Sequence, residues 1–359
     1  DTGNTPEGLV DGDGASITGE LARDPGEDAG DYALNLEQLV VSPNYKLQLA
    51  ADAPKFTITP RPINVIIGDD DGIYGETPDL SGKTPQYEDT NSENKSGLAP
   101  DETEVAGLTL ATDATARSDV SGSYKIYAEA DGEEITAGTP TQVGNYRVTV
   151  TNGDYEVTKR PITITLEDQE SFYGATLNKL TYTSALTNGE GAGIVNDDDE
   201  NGLVIAPKFV GDETPVNQGT YTITADHSGE KAGNYEIAIV TGTYTIKPAE
   251  LTVRYRDPSR NGNVGQPVEN PLIFTNASVG DGGTELSTMP EGVTVVYSVG
   301  DSTKAGVDAG GVVTPIATGD TTVTATISVE PNGNYTVKEG TNASYELRIS
   351  AGSMRLSVL

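Results

Sequence analysis

Few residues of this chain could carry out acid–base or nucleophilic chemistry. The 359 residues include a single histidine, His227, and no cysteine, which excludes thiolate nucleophiles, disulfides and cysteine metal sites. His227 lies where an alternating strand pattern runs into a turn, which indicates a solvated turn residue rather than the base of a catalytic triad. With 55 acidic residues, carboxylate pairs arise by chance and do not by themselves indicate a glycosidase. The sequence therefore predicts a protein that is not an enzyme.

Two runs of aspartates could bind a metal ion. Ca²⁺ takes roughly six to eight oxygen ligands, and clustered loop carboxylates can supply them. One run comes just after an expected strand near the first module junction, and the other lies in an expected loop. Neither has the spacing of an EF-hand loop, and solvated acidic loops are the alternative interpretation. The six candidate ligands are Asp69, Asp70, Asp71, Asp197, Asp198 and Asp199.

Composition indicates many short strands. Thr, Val, Ile and Tyr are frequent, and 42 Gly and 20 Pro punctuate the chain, which suits strands and turns better than long helices. The formal net charge of −33 argues against nucleic acid or an anionic membrane as a partner, because both require a basic surface. No apolar run is long enough to span a membrane, so no membrane insertion is expected.

Short motifs recur along the chain and indicate repeated modules. A Gly-x-Tyr tripeptide marks turns that lead into alternating strands, where Gly allows positive φ and Tyr can pack its ring. An Asn-Tyr or Asp-Tyr pair follows at a later turn, and a Tyr-Gly pair follows two of the opening strands. Gly-x-Tyr stands at 30–32, 144–146 and 219–221, the Asn/Asp-Tyr pairs at 44–45, 154–155, 234–235 and 334–335, and Tyr-Gly at 74–75 and 173–174.

The motifs divide the chain at three proline-bearing junctions, which should be stiff because Pro fixes φ. We expect an all-β fold of serial Ig-like β-sandwich modules arranged as an elongated rod. Module one is expected to lack its opening strand, and module two to carry a long polar insertion from about Ser81 to Ser121. The predicted boundaries are 1–60, 61–160, 161–248 and 249–350, with a tail at 351–359.

The motif set resembles the MBG modules of the Tyr-Gly-x type, which occur in arrays in bacterial surface adhesins. Module three resembles them best, through Tyr173-Gly174-Ala175-Thr176-Leu177. The fourth module looks more like a bacterial Ig-like module of the intimin and invasin kind, because Val307-Asp308 precedes Gly311-Val312-Val313-Thr314. The resemblance implies display on the cell surface and adhesion, and it supplies no binding residue.

The two ends of the sequence fit each other. Module one begins without an opening strand, and in the tail Met354, Leu356 and Val358 alternate with Arg355 and Ser357, which is a strand pattern. The tail could be the donor strand that completes module one of the next copy in a head-to-tail fibre. The alternative is an excerpt from a longer array, cut within a module at both ends.

These observations favour a non-catalytic structural and adhesive segment of an extracellular bacterial surface protein, a stalk or fibre that presents binding surface. Expected partners are further copies joined head-to-tail and a glycan or host surface ligand, with Ca²⁺ as the one cofactor that the acidic runs could bind. One alternative is a self-assembling fibre subunit joined by strand donation. Another is an accessory region of a secreted glycan-active enzyme.

Overall fold

The computed structural model describes residues 8, 17–90, 97–338 and 341–353. This part of the chain forms an all-β fold, as the composition predicts. Its helical elements are short: helix α1 at Asp198–Asn201 and a 3₁₀ turn at Ala232–Asn234. No helix in the described ranges is long and apolar enough to cross a membrane.

Residues 17–58, which we call the N-terminal segment, form three small antiparallel sheets. Strand β1 pairs with β5, β2 with β4, and β3 with β6. The strands are β1 (Thr18–Gly19), β2 (Ala22–Arg23), β3 (Gly30–Tyr32), β4 (Leu34–Asn35), β5 (Leu39–Val40) and β6 (Phe56–Ile58).

Three β-sandwiches follow, which we call A, B and C. Sandwich A contains β7 (Arg61–Ile66), β8 (Asp70–Ile73), β9 (Gln86–Glu88), β10 (Leu108–Thr112), β11 (Tyr124–Ala130), β12 (Glu133–Glu134), β13 (Thr141–Val143), β14 (Tyr146–Thr151) and β15 (Gly153–Thr158). Sandwich B contains β16 (Arg160–Leu166), β17 (Gln169–Phe172), β18 (Tyr182–Leu186), β19 (Val204–Phe209), β20 (Gly219–Ser228), β21 (Tyr235–Val240) and β22 (Gly242–Lys247). Sandwich C contains β23 (Ala249–Tyr255), β24 (Ser259–Asn263), β25 (Leu272–Asn276), β26 (Thr284–Leu286), β27 (Val293–Val299), β28 (Ala305–Val307), β29 (Val313–Pro315), β30 (Gly319–Val329), β31 (Tyr335–Thr336) and β32 (Asn342–Ser350).

The three sandwiches share one strand order. In one sheet the opening strand (β7, β16 or β23) lies beside a docking strand (β14, β21 or β31), and in the other a second strand (β8, β17 or β24) lies beside the closing strand (β15, β22 or β32). The second and closing strands are parallel in all three. The closing strand pairs on its other side with an antiparallel corner strand, β11, β20 or β30. Sandwich C, expected to be of a different kind, therefore keeps the strand order of A and B.

Alternation along the strands builds each core. In β16 the side chains of Ile162, Ile164 and Leu166 are buried and alternate with more exposed residues, as a strand of period two requires. Each such aliphatic side chain contributes about 1.5–3 kcal/mol on full burial. The N-terminal segment differs, because none of its described residues is a buried hydrophobic residue, and Val40 and Ile17 are 65% and 56% exposed.

The chain divides into two compact units. Unit 1 comprises residues 1–160 and 233–235, and unit 2 comprises residues 161–232 and 236–359. Unit 1 contains the N-terminal segment and sandwich A. Unit 2 contains most of sandwich B and all of sandwich C.

The structure corrects two expectations about sandwich A. The segment expected to be an insertion, about 81 to 121, contributes strands β9 and β10 to the two sheets. The tripeptide at 144–146 begins the docking strand, so it corresponds to the Asn-Tyr pairs at 234–235 and 334–335. The corner strand of sandwich A instead begins beside Gly122-Ser123-Tyr124. The Gly-x-Tyr motif is too short to distinguish the docking strand from the corner strand, because both begin with Tyr after a glycine turn.

Candidate functional site

The tyrosine of the Gly-x-Tyr motif closes a corner in the N-terminal segment and in sandwich B. The Tyr32 hydroxyl donates to the Asp28 carbonyl oxygen over 2.7 Å, and the Tyr221 hydroxyl donates to the Asn217 carbonyl oxygen over the same distance. Each bond spans four residues and holds the turn closed. In both cases the residue that accepts the bond is an Asp or an Asn, whose side chain remains free to face another part of the chain.

In unit 1 that side chain meets an asparagine of the next sandwich. The Ala29 amide donates to Asn145 Oδ1 over 2.7 Å, and Asn145 Nδ2 donates to Asp28 Oδ1 over 3.0 Å. The Asn145 carbonyl also accepts from the Arg61 amide over 2.8 Å, which ties it to the opening strand of sandwich A. Asn145 thus joins the N-terminal segment to sandwich A through its side chain while its backbone belongs to sandwich A.

Unit 2 repeats this arrangement between sandwiches B and C. The Gln218 amide donates to Asn334 Oδ1 over 2.8 Å, and Asn334 Nδ2 donates to Asn217 Oδ1 over 3.0 Å. The Asn334 carbonyl accepts from the Ala249 amide over 3.0 Å. We call this pair of hydrogen bonds the asparagine clasp.

A third clasp lies within unit 1, on the stretch Gly233–Tyr235 that belongs to it. The Val120 amide donates to Asn234 Oδ1 over 3.0 Å, and Asn234 Nδ2 donates to Asp119 Oδ1 over 2.6 Å. Asn234 is only 4% exposed. A buried amide needs partners for both its oxygen and its nitrogen, and the clasp supplies them.

The Tyr-Gly pair belongs to the same contact. In unit 2 the Tyr173 ring meets the Tyr335 ring edge to face, with centroids 5.3 Å apart and planes at 80°. Asn276 Nδ2 donates to the Tyr173 carbonyl oxygen over 3.0 Å. Such aromatic pairs add about 0.5–1.5 kcal/mol beyond the area that they bury, so Tyr173 strengthens the contact that Asn334 orients.

Glycine is required at the second position of Tyr-Gly. The Ala175 amide donates to the Phe172 carbonyl over 3.0 Å, which closes a four-residue turn with Gly174 third at φ +82°. Positive φ at this position is the mark of a type II turn and favours Gly. The turn aims the Tyr173 side chain outward from sandwich B towards sandwich C.

The first aspartate run is engaged in local structure. Asp69 Oδ1 accepts from the Asp154 amide over 2.9 Å, and Asp70 forms an ion pair with Lys83 at 3.3 Å. Asp70 and Asp71 are consecutive in β8, so their side chains leave opposite faces of the strand.

The second run surrounds the short helix. Asp197 stands before it with φ +59°, and Asp198 is 2% exposed. Burial, and to a smaller extent the charge of Asp199, raises the pKa of Tyr182. In the described part of the chain no group of three or more Asp, Glu, His or Cys side chains could hold a metal ion. The Ca²⁺ prediction for both runs therefore gains no support and stays a prediction.

Other sequence candidates have structural neighbours or fall outside the description. Within the segment expected to be an insertion, the Tyr87 hydroxyl accepts from the Val105 amide over 3.4 Å. His227 lies exposed near the end of β20. The tail residues Met354, Leu356 and Val358 lie outside the described residues.

Sandwich C has an open groove of 460 Å³ between β25, β27 and the β28–β29 hairpin. Tyr297 and Phe274 line it, and Phe274 is 5% exposed and belongs to the core. A Cβ at Gly311 would lie 2.7 Å from the Tyr297 ring, so the glycine backbone packs against the ring.

Comparisons with known proteins agree with the motif analysis in part. A family model described as "MBG domain (YGX type)" matches residues 2–57 and 162–245, less than half of the chain. No curated protein matches the chain. The match includes most of sandwich B, with its Tyr-Gly pair and the corner residues Asn217 and Gln218, and most of the N-terminal segment.

Solved structures with similarity to the chain include multi-domain β proteins. Domains EC1–4 of Drosophila N-cadherin align over 96% of this chain and 94% of that one, at 10% identity and a TM-score of 0.28. Domains 1–6 of the surface layer protein SbsC align over 84% of this chain and 42% of that one, at 14% identity and a TM-score of 0.26. The segments 2–57 and 162–245 thus resemble MBG domains of the YGX type within an all-β chain.

Proposed function

We propose that this chain is a non-catalytic structural segment of a bacterial cell-surface protein, a stalk or fibre in which successive β-sandwiches are held in fixed relation. The MBG similarity of two segments supports this assignment. The segment would carry binding parts away from the cell, or bind glycan weakly along its own loops.

The observation that carries the proposal is the asparagine clasp combined with very short linkers. Between β22 and β23 there is one residue, Pro248, and between β6 and β7 only Thr59 and Pro60. A single Pro allows little rotation, and the clasp adds two side-chain hydrogen bonds across the same junction. A segment that holds other domains at a fixed distance and direction needs junctions that allow few relative orientations.

The acidic composition fits the same role. A formal charge of −33 disfavours association of exposed sheet edges between copies. Strong negative charge also keeps the segment from binding nucleic acid, which requires a basic surface. Both properties suit a segment that must stay extended and separate in an extracellular medium.

Small-angle X-ray scattering of the full chain tests the proposal. We expect an elongated particle with one well-defined maximum dimension, and a broader distribution of distances in the double variant Asn145→Ala, Asn334→Ala. Asn188→Ala, at an exposed loop residue outside the clasps, is the matched control. Wild-type scattering that requires many flexibly linked orientations, and that the double variant leaves unchanged, would refute fixed junctions.

One observation favours strand donation as a second candidate function. The buried residues Ile162 and Ile164 lie four and six positions after the last residue of β15, and Leu251 lies four after the last residue of β22. Counted from the last residue of β32, Ser350, the same spacing gives Met354 and Leu356. The tail therefore has the sequence register of an opening strand, and the N-terminal segment exposes apolar residues that such a strand could cover.

Light scattering on the full chain and on a chain ending at Ser350 tests this second candidate. Strand donation predicts concentration-dependent association of the full chain that the truncation and Leu356→Asp abolish. Ser357→Asp, at a position that alternates with the apolar ones in the sequence, should preserve it. If the full chain and the truncated chain are equally monomeric, the tail is not a donor strand.

A further inference from the structure

We infer that the clasp residues form a pairing code that determines which sandwich can dock onto which, and that the pair Asn44-Tyr45 is a docking surface for a sandwich with a complete receiving set. The inference rests on the proposed function, since it treats the junction contacts as the means of assembly. The receiving set consists of the Tyr of Tyr-Gly, the Asp or Asn at the corner, and the Tyr of Gly-x-Tyr. The docking pair is the Asn-Tyr at the start of the next docking strand.

Sandwich B shows a complete receiving set in use. Tyr173, Asn217 and Tyr221 are its members, and Asn334 and Tyr335 of sandwich C contact the first two directly. Tyr221 acts through Asn217, whose carbonyl oxygen accepts a hydrogen bond from the Tyr221 hydroxyl. In unit 1, Tyr74, Asp119 and Tyr124 form the corresponding set, and Tyr74 meets Tyr235 at 5.5 Å and 78°.

Sandwich C has lost all three receiving side chains while keeping the backbone that would carry them. Its turn after β24 has Gly265 at φ +79°, and the Val264 amide donates to the Ser350 carbonyl over 3.1 Å as Tyr173 does to Lys247. Val264 stands where the other sandwiches have Tyr. At the corner, Ala317 replaces the Asp or Asn two residues before Gly319, and Thr321 replaces the Tyr two residues after it.

The loss has a direct chemical consequence. A docking asparagine presents one donor group and one acceptor, and the corner must return an acceptor for the donor. Ala317 has no side-chain acceptor, and Val264 offers no aromatic edge. Sandwich C therefore keeps its own docking pair, Asn334 and Tyr335, but does not receive another sandwich through this code.

The N-terminal segment carries a matching Asn-Tyr pair at 44–45, although the structure has a turn there and no docking strand. Asn44-Tyr45 precedes the closing strand β6 as Asn334-Tyr335 precedes β32. Asn44 is exposed and makes no hydrogen bond in the described ranges. The turn that contains it is closed by a hydrogen bond from the Tyr45 amide to the Ser42 carbonyl over 2.9 Å. The code identifies its partner as a β-sandwich with a corner Asp or Asn and a turn Tyr, and excludes sandwich C of a second copy.

The code can be tested by rebuilding the receiving set on sandwich C of the full chain. Val264→Tyr and Ala317→Asn together restore the turn Tyr and the corner amide at positions that are not fully buried. Sedimentation velocity should show concentration-dependent head-to-tail association in the double variant beyond any that wild type shows. Adding Asn44→Ala should abolish the association, and adding Asn188→Ala should leave it intact.

Three results would overturn the inference. The first is that the double variant associates no more than wild type does, and that the single variant Ala317→Asn does not associate either. The single variant is included because its exposed site should tolerate the substitution. Another is association that persists after Asn44→Ala. The third is wild-type association that depends on Asn44, because sandwich C would then bind a docking pair without having the receiving set. None of these three results affects the small-angle X-ray scattering expected for the Asn145→Ala, Asn334→Ala variant. The proposed function is therefore tested separately.

Discussion

The side-chain nitrogen of Asn334 lies 3.0 Å from the side-chain oxygen of Asn217, a residue 117 positions earlier in the chain. Asn145 and Asp28 repeat the same contact at the same distance and the same separation in sequence. The repetition shows that the contact belongs to the repeat itself. The two pairs differ in one respect, an amide at Asn217 and a carboxylate at Asp28, and this difference can be used experimentally.

Asn145→Asp should destabilise the chain more than Asn334→Asp. The new carboxylate at 145 faces Asp28, so the donor is lost and two like charges meet, whereas Asn217 can turn its amide to donate to a carboxylate at 334. Because Asp28 and Asn145 are exposed, we expect a loss of about 1 kcal/mol at neutral pH, measured by urea unfolding. Equal losses for the two variants would contradict the geometry of the clasp.

The cost of removing a clasp asparagine should follow its burial. Asn234 is 4% exposed, so Asn234→Ala leaves buried groups without partners and should cost about 1–3 kcal/mol. Asn145 is exposed, and water can replace its bonds after Asn145→Ala, which should cost about half as much or less. Thermal unfolding of both variants measures the difference, and a larger loss for Asn145→Ala would be inconsistent with the described contacts.

Gly174→Ala and Gly265→Ala separate backbone strain from contact across the junction. Both glycines have positive φ, +82° and +79°, so each substitution should cost about 1–2 kcal/mol in strain. A Cβ at 174 would also lie 3.1 Å from Asn276 Nδ2, whereas a Cβ at 265 meets nothing within 4 Å. Gly174→Ala should therefore be the more destabilising, as measured by urea unfolding. Indistinguishable losses would show that Asn276 moves aside freely.

Tyr255 should make sandwich C sensitive to alkali. Burial, followed by the neighbouring rings of Tyr345 and Tyr297, raises the pKa of Tyr255 well above its ordinary value of 10. The unfolded chain then loses the phenol proton above about pH 10 while the folded chain keeps it, so stability is full below that pH and falls as pH rises further.

Tyr255→Phe should reduce this alkaline loss and raise stability at neutral pH slightly. The Tyr255 hydroxyl is buried without a hydrogen-bond partner in the described part of the chain, and removing an unsatisfied buried group can be neutral or stabilising. Thermal unfolding between neutral pH and about pH 11 measures both effects. A variant that loses stability at neutral pH would reveal a partner for the hydroxyl.

Much of the fold could be predicted from sequence because its determinants are local. Alternation predicted the strands, and Gly and Pro predicted the turns between them. The Tyr-Gly pair was recognised as a repeat marker, and the structure explains it by the φ of Gly174 and the ring contact of Tyr173. The loop motifs of sandwich C predict another module type, which stays a prediction. Its strand order, which depends on long-range pairing, is that of A and B.

The clasp could not be predicted in the same way. Asn145 and Asp28 lie 117 residues apart, and no local pattern marks which asparagine faces which corner. The single sequence also allowed Gly144-Asn145-Tyr146 to be aligned with the corner tripeptides, which concealed the docking role of Asn145. A signal was present, since Asp119 stands before Gly122-Ser123-Tyr124 as Asp28 stands before Gly30-Asp31-Tyr32, with one residue inserted.

Hydrogen–deuterium exchange at the Gln218 amide tests the fixed-junction account most directly. That amide has its partner in Asn334 of the following sandwich, so its protection reports the junction rather than the sheets. We predict a protected Gln218 amide in the full wild-type chain and fast exchange there in Asn334→Ala, with protection of the β22 amides unchanged. A Gln218 amide that exchanges in wild type as fast as an exposed loop amide would contradict the account.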